Sequence, residues 1–127
     1  MSGFKPTRQA NDISPPIEGK VTALATTGSS VPYVTPTAWA DNYVTAQADG
    51  DAVHLTFGDA AVVVDKTAVA GTVGSPAAIT NDDTSSIKIP DGSFLSFRVL
   101  SGDATTTHFA IQGAAGGGYV RFWVSSN

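Results

Sequence analysis

The chain predicts an all-β fold: an antiparallel β-sandwich or jelly roll with an extended N-terminal arm. Three observations predict it. Short alternating segments recur between turn signals along the whole body, the pattern of a sandwich or barrel. No segment carries the apolar spacing of an amphipathic helix; Thr37–Asn42 has room for a single helical turn. Charged residues make up only 14% of the 127 residues, against roughly 25% in soluble domains. Thr, Ser, Ala, Gly and Val take their place, as expected of strands and turns.

Residues 1–19 are expected to form the arm and 20–127 the β-sandwich domain. The arm carries Pro6, Pro15 and Pro16 with Gly3 and Gly19. Proline lacks a backbone donor and favours extended backbone. Phe4, Ile13 and Ile17 are the arm's spaced apolar anchors and Arg8 is a charged one. A disordered terminus is the competing reading; the anchors favour an arm that orders on a partner.

In the body, Val21–Thr27 predicts the first strand. Ser30–Pro36 is interrupted by proline and belongs at an edge or in a loop. Tyr43–Ala48 ends at Asp49-Gly50-Asp51, a turn signal. Val53, Leu55 and Phe57 alternate against His54 and Thr56. Gly58-Asp59 predicts a hairpin into Ala60–Asp65, whose Val62-Val63-Val64 run suits a strand buried on both sides. Residues 66–84 predict an exposed loop with a short strand at Ala77–Thr80. Ile87–Ile89 leads to Pro90-Asp91-Gly92, where proline is expected to preset the first central residue and glycine to take a positive φ. Leu95, Phe97 and Val99 face one way and Ser96 and Arg98 the other. Thr107–Gln112 turns Phe109 and Ile111 inward. After a small-residue turn, Tyr119–Val124 closes the body with Val120, Phe122 and Val124 opposite Tyr119, Arg121 and Trp123.

Hydrophobic residues reach 42%, enough to build one real core in 127 residues. The net charge is −4, split as +1 over residues 1–20 and −5 over the rest. That balance excludes a generic nucleic-acid binder, which needs a basic patch against phosphate. No apolar run approaches the ~20 residues of a membrane span, and residues 1–20 lack the apolar core of a signal peptide. The product is expected to be cytoplasmically made and soluble. Without cysteine there are no disulfides, thiolate metal sites or Cys nucleophiles.

No residue pattern predicts a reaction. His54 and His108 are the only histidines and stand apart in sequence; a metal site needs several converging ligands. No Gly-X-Ser-X-Gly elbow accompanies the Ser, His and Asp residues. Asp82-Asp83 and Asp49-Gly50-Asp51 could offer loop oxygens to Ca²⁺, but lack EF-hand spacing and suit turns. No cofactor or metal is expected, and the chain reads as a structural or binding module. Tyr33, Trp39 and Tyr43 lie close in sequence and are candidates either for glycan contact or for core and interface packing. Tyr119, Arg121 and Trp123 share one face of the last strand and form a candidate oligomer interface.

The order of these segments resembles a family of small phage virion proteins of the head decoration, or cement, type. The resemblance rests on the Phe-Gly-Asp-Ala step within Leu55–Ala60, Ile-Pro-Asp-Gly-Ser at Ile89–Ser93, Thr-His-Phe-Ala-Ile at Thr107–Ile111, and Gly118–Val124. It runs from Val53 to the C-terminus and leaves Met1–Trp39 uncovered. It implies a β-sandwich on the outer capsid surface of the virion, binding the major capsid protein. It also implies self-association, as a homotrimer with a dimer as the alternative, without nucleic acid or membrane. The arm (Phe4, Arg8, Ile13, Ile17) would then be the capsid-binding element. A carbohydrate- or receptor-binding module of a head or tail fibre is the alternative reading.

Overall fold

The structure, a computed structural model, describes residues 15–66, 72–73, 79–80 and 86–126. It is a β-sandwich of two four-stranded antiparallel sheets. The strands are β1 (Thr22–Thr27), β2 (Val31–Val34), β3 (Tyr43–Asp49), β4 (Val53–Gly58), β7 (Ile87–Ile89), β8 (Phe94–Arg98), β9 (His108–Gly113) and β10 (Gly117–Ser126). Two further short strands, β5 (Thr72–Val73) and β6 (Ile79–Thr80), pair with each other in the long β4–β7 connection. Sheet A has the order β1-β10-β3-β8 and sheet B the order β2-β9-β4-β7. Apart from the β4–β7 step, successive strands of the sandwich lie in opposite sheets. This is the double Greek-key winding of a jelly roll.

Alternation built both inner faces. Val44, Ala46, Ala48, Val120 and Phe122 point inward from sheet A; Val53, Leu55, Ile89, Phe109 and Ile111 answer from sheet B. Phe109 stands at the centre, within 5.3–5.8 Å of the rings of Trp39, Tyr33, Phe122 and Phe57. Pro32 is tolerated because β2 is an edge strand.

The winding gathers the β1–β2, β3–β4, β7–β8 and β9–β10 connections at one end. Four contacts tie them together. Gln112 Nε2 donates to Gly28 O, the Gly50 amide to Asp91 Oδ1 at 2.9 Å, the Gly92 amide to Ala48 O at 2.9 Å and the Ala114 amide to Ala52 O at 2.9 Å. At the other end the Thr35 amide donates to Thr107 O at 3.0 Å. Asp41 there accepts from the Ser101 amide and hydroxyl.

Three expectations change. Gly58-Asp59 does not open a hairpin: Asp59 caps a tight turn through the Ala61 amide (2.8 Å). The Val62–Val64 run that follows is an irregular strap rather than a strand. It meets strand-flanking hydroxyls from opposite edges of sheet B, the Val64 amide donating to Ser30 Oγ and the Asp65 amide to Ser86 Oγ. Only Val64 of the three is buried, while Val63 faces solvent. Lastly, Ser93 closes its turn on Pro90 O, so Asp91 and Gly92 are the central residues and proline occupies the first corner. Gly92 does take the positive φ, +80°. Within the expected strand at Ala77–Thr80, the described part is β6.

Gly118 allows the β3–β4 corner to close against β10. A Cβ there would lie 2.8 Å from Asp49 O and 2.9 Å from both Cβ and N of Asp51. Backbone cannot step aside cheaply, so Gly118→Ala is expected to cost about 1–3 kcal/mol, read as a lowered urea midpoint. Gly117→Ala, where an added Cβ meets nothing within 4 Å, is the near-neutral comparison.

Candidate functional site

The outward phase of sheet A carries the most distinctive surface among the described residues. Register sets it row by row. Gln47 lies between Phe94 of β8 and Arg121 of β10; Thr45 lies between Ser96 and Trp123. Thr45 Oγ1 and Ser96 Oγ share a hydrogen bond of 2.8 Å. Trp123 meets Phe94 edge to face at 6.0 Å across the strand between them. Phe94 remains 53% exposed and Tyr119, at the upper end of the same face, 52%. Arg121 pairs with Asp49 on the neighbouring strand. Both side chains are partly exposed, so the pair holds the guanidinium in place and adds less than about 1 kcal/mol of stability.

The expected row of Tyr119, Arg121 and Trp123 is thus brought together on one face, but its members differ. Tyr119 and Arg121 are presented. Trp123 points outward from the sheet and yet is only 5% exposed, so it presents far less surface than Tyr119. Phe94 meets the Trp123 ring edge to face. Ile17–Lys20 forms a tight turn, with the Lys20 amide on Ile17 O at 2.9 Å and Gly19 at φ +79°. The turn folds the chain back just ahead of β1. Pro15, Pro16 and Val21 consequently stand beside Gln47, Phe94, Arg121 and Trp123 around one groove of about 690 Å³. This size and mix, apolar walls with a few polar groups, suits a binding groove. Pro15, Pro16, Val21, Gln47 and Phe94 were not picked out by sequence as members of one site. Only the strand register, which was not fixed by pattern alone, places Gln47 between Phe94 and Arg121.

Of the expected arm contacts, Ile17 is described and is 63% exposed. Phe4, Arg8 and Ile13 lie outside the described residues.

Tyr33, Trp39 and Tyr43 do not form one platform. Trp39 sits in the core at 5% exposure, Tyr33 stacks on Phe109 at 5.4 Å, and Tyr43 lies under the Arg98 guanidinium at 5.7 Å. A glycan reading through these three loses its central ring, because Trp39 has no face to offer.

The two histidines are far apart in role as well. His108 Nδ1 lies 2.9 Å from Thr107 Oγ1. His54 points outward from β4 but is nearly buried, and its Nδ1 has no hydrogen-bond partner among the described residues. Burial pushes its pKa down, helped by Lys66 and Lys88 and opposed by Asp51. Among the described residues no three His, Asp or Glu side chains converge on a common point. Asp49 and Asp51, the candidate loop ligands, are directed apart: Asp49 to Arg121, Asp51 to the amides of Ala115, Gly116 and Gly117. Asp82-Asp83 lies outside the described residues.

The protein class defined by this geometry is a jelly-roll β-sandwich with a groove on its outer sheet face bordered by Pro15, Pro16 and Val21. Viral capsid domains, lectins and cupins all use this architecture, so the fold by itself selects no function. Comparisons with protein-family models, curated proteins and solved structures find no match to the chain.

Proposed function

We propose that the chain is a phage capsid decoration (cement) protein, which binds the outer head surface and stabilises contacts between major capsid proteins. One observation supports this reading best. The arm root, Pro15 and Pro16, lies on the same face as the exposed apolar side chains Phe94 and Tyr119. Arm and sheet can therefore engage one continuous partner surface. Low overall charge fits a protein much of whose surface is covered when it works. The partners in this reading are the major capsid protein and further copies of the chain, and the location is the outer capsid surface of the virion. Phe4, Arg8, Ile13 and Ile17 are the proposed arm contacts; Tyr119 and Arg121, with Phe94, are the proposed surface contacts of the body.

Capsids stripped of this protein provide the test. Full-length protein is expected to bind saturably at a copy number set by icosahedral symmetry. Protein lacking residues 1–19 is expected to bind about a hundred-fold more weakly or worse, from the loss of three apolar anchors that binding would bury. Failure of the full-length protein to bind would remove the capsid reading and make a glycan screen the next step.

A further inference from the structure

We infer that β1 is a self-pairing edge: two copies of this chain join by laying β1 antiparallel against β1 with Leu24 at the centre, merging two four-stranded A sheets into one continuous sheet. An open sheet edge is a row of unpaired backbone donors and acceptors, and proteins blunt it with proline, charge or shortness. The two sheets of the sandwich have β1 and β8, and β2 and β7, as their edges. Three of these edges are blunted. β2 has four residues and holds Pro32. β7 has three residues with Lys88 in the middle. β8 ends in Arg98. β1 has six residues, Thr-Ala-Leu-Ala-Thr-Thr, with neither charge nor proline. Its register on β10 runs unbroken from Thr22 to Thr27, so no bulge bends it away. It is the longest of the four edges and the unguarded one.

The sequence of that edge selects a second copy as its partner. Thr22-Ala23-Leu24-Ala25-Thr26 reads the same in both directions. Laid antiparallel with Leu24 opposite Leu24 of the second copy, it sets Ala23 opposite Ala25 and Thr22 opposite Thr26. Every position then meets its own residue type. This is the self-complementarity of a two-fold interface, in which residue i contacts j and j contacts i. Threonine opposite threonine is also a favourable cross-strand pair. Leu24 fixes the register, because it is half-buried and packs against the core. A slip by one residue would set it against Ala25 and place the two cores on opposite faces of the joined sheet. In the matched register directly opposed residues share a face. The two outer faces therefore point the same way, and Phe94 and Tyr119 of both copies lie on one platform. The pair uses up both β1 edges, so assembly through it stops at a dimer.

The test uses the full-length protein alone, so its outcome is separate from that of capsid binding. Ala23 and Ala25 are exposed and lie beside Arg121 and Tyr119 on the outer face, so charged side chains there stay in solvent. Ala23→Glu with Ala25→Glu puts like charges opposite each other at two positions of the pair. Ala23→Glu with Ala25→Lys puts opposite charges at the same two positions. Sedimentation equilibrium over a dilution series is expected to show a monomer–dimer equilibrium for the native chain. The like-charge variant should associate about ten-fold more weakly or worse, and the opposite-charge variant should recover native strength. Circular dichroism checks that all three share the fold. A native chain that stays monomeric at the highest concentration reached overturns the inference, as does association that neither variant alters. A like-charge loss that the opposite-charge variant fails to recover overturns it too, because the strands then do not meet about Leu24.

Discussion

Trp39→Ala is expected to lower stability by about 3–5 kcal/mol, the usual cost of removing a buried Trp, and the melting temperature by roughly 10–20 °C. Its position explains the size. The indole projects from a short 3-10 turn, Thr37–Trp39, in the β2–β3 connection. It packs on Phe122 at 5.0 Å and Phe97 at 6.2 Å from sheet A, and on Phe109 at 5.3 Å from sheet B. One side chain thus closes the end of the sandwich and touches both inner faces. The turn beneath it is pinned and cannot collapse into the space. Ala40 bridges to Val99, the Asp41 amide donates to Val99 O at 2.6 Å, and Asp41 itself sits at φ +61°, held by Ser101. A cavity that the surroundings cannot fill keeps its full cost. Urea denaturation followed by circular dichroism measures it. A loss below about 1 kcal/mol would mean that Trp39 does not bridge the sheets. Trp39→Phe, which keeps a ring among the aromatic neighbours, should recover much of the loss.

How much of this was legible in the sequence depends on how far apart the interacting residues stand. Strand segments were legible, because alternation is a local signal: Val53, Leu55 and Phe57 point inward, as do Val120 and Phe122. Pro32 announced an edge strand, since a central strand would miss its amide. The Val62–Val64 run misled for a physical reason. Three consecutive branched residues favour extended backbone, but strand formation needs a partner, and Val64 instead donates to a serine hydroxyl 34 positions away. Trp39 was left open between surface and core, because a lone aromatic in a loop has no periodicity to assign its side. The groove was least legible of all. Its residues come from Pro15, Pro16 and Val21 ahead of β1 and from β3, β8 and β10, and only the β1-β10-β3-β8 order makes them neighbours.

Asp51→Ala is the second large effect, and it works through the opposite end of the sandwich. In sequence Asp51 is one more turn residue. In the fold it is 9% exposed, and its Oδ2 accepts from the amides of Ala115 (2.9 Å), Gly116 (3.1 Å) and Gly117 (3.4 Å). The carboxylate therefore substitutes for missing strand pairing at the β9–β10 turn and fastens it to the β3–β4 corner. Gly113 leaves room for it; a Cβ there would come within 2.8 Å of the same oxygen. Alanine strips successive amides of their acceptor in a half-buried place, and a drop in melting temperature on the order of 10 °C is expected at neutral pH.

The pH dependence separates this role from simple turn preference. Hydrogen bonds from the backbone, that of Ala115 foremost and then those of Gly117, Gly116 and Ala52, hold the Asp51 carboxyl below its ordinary value of 3.8 against the opposing effect of burial. A carboxyl whose pKa is lower folded than unfolded stabilises the fold above the unfolded value. That contribution is lost as pH falls through the folded value. Native protein should therefore lose stability on acidification from about pH 5 downward. Asp41, held down chiefly by Ser101, and Asp103, held down by Thr105, contribute in the same direction. Asp51→Ala should show a shallower decline over that window while starting from a lower neutral-pH value. Parallel native and variant curves, offset but equally steep, would show that Asp51 fastens the turn by shape and not by charge.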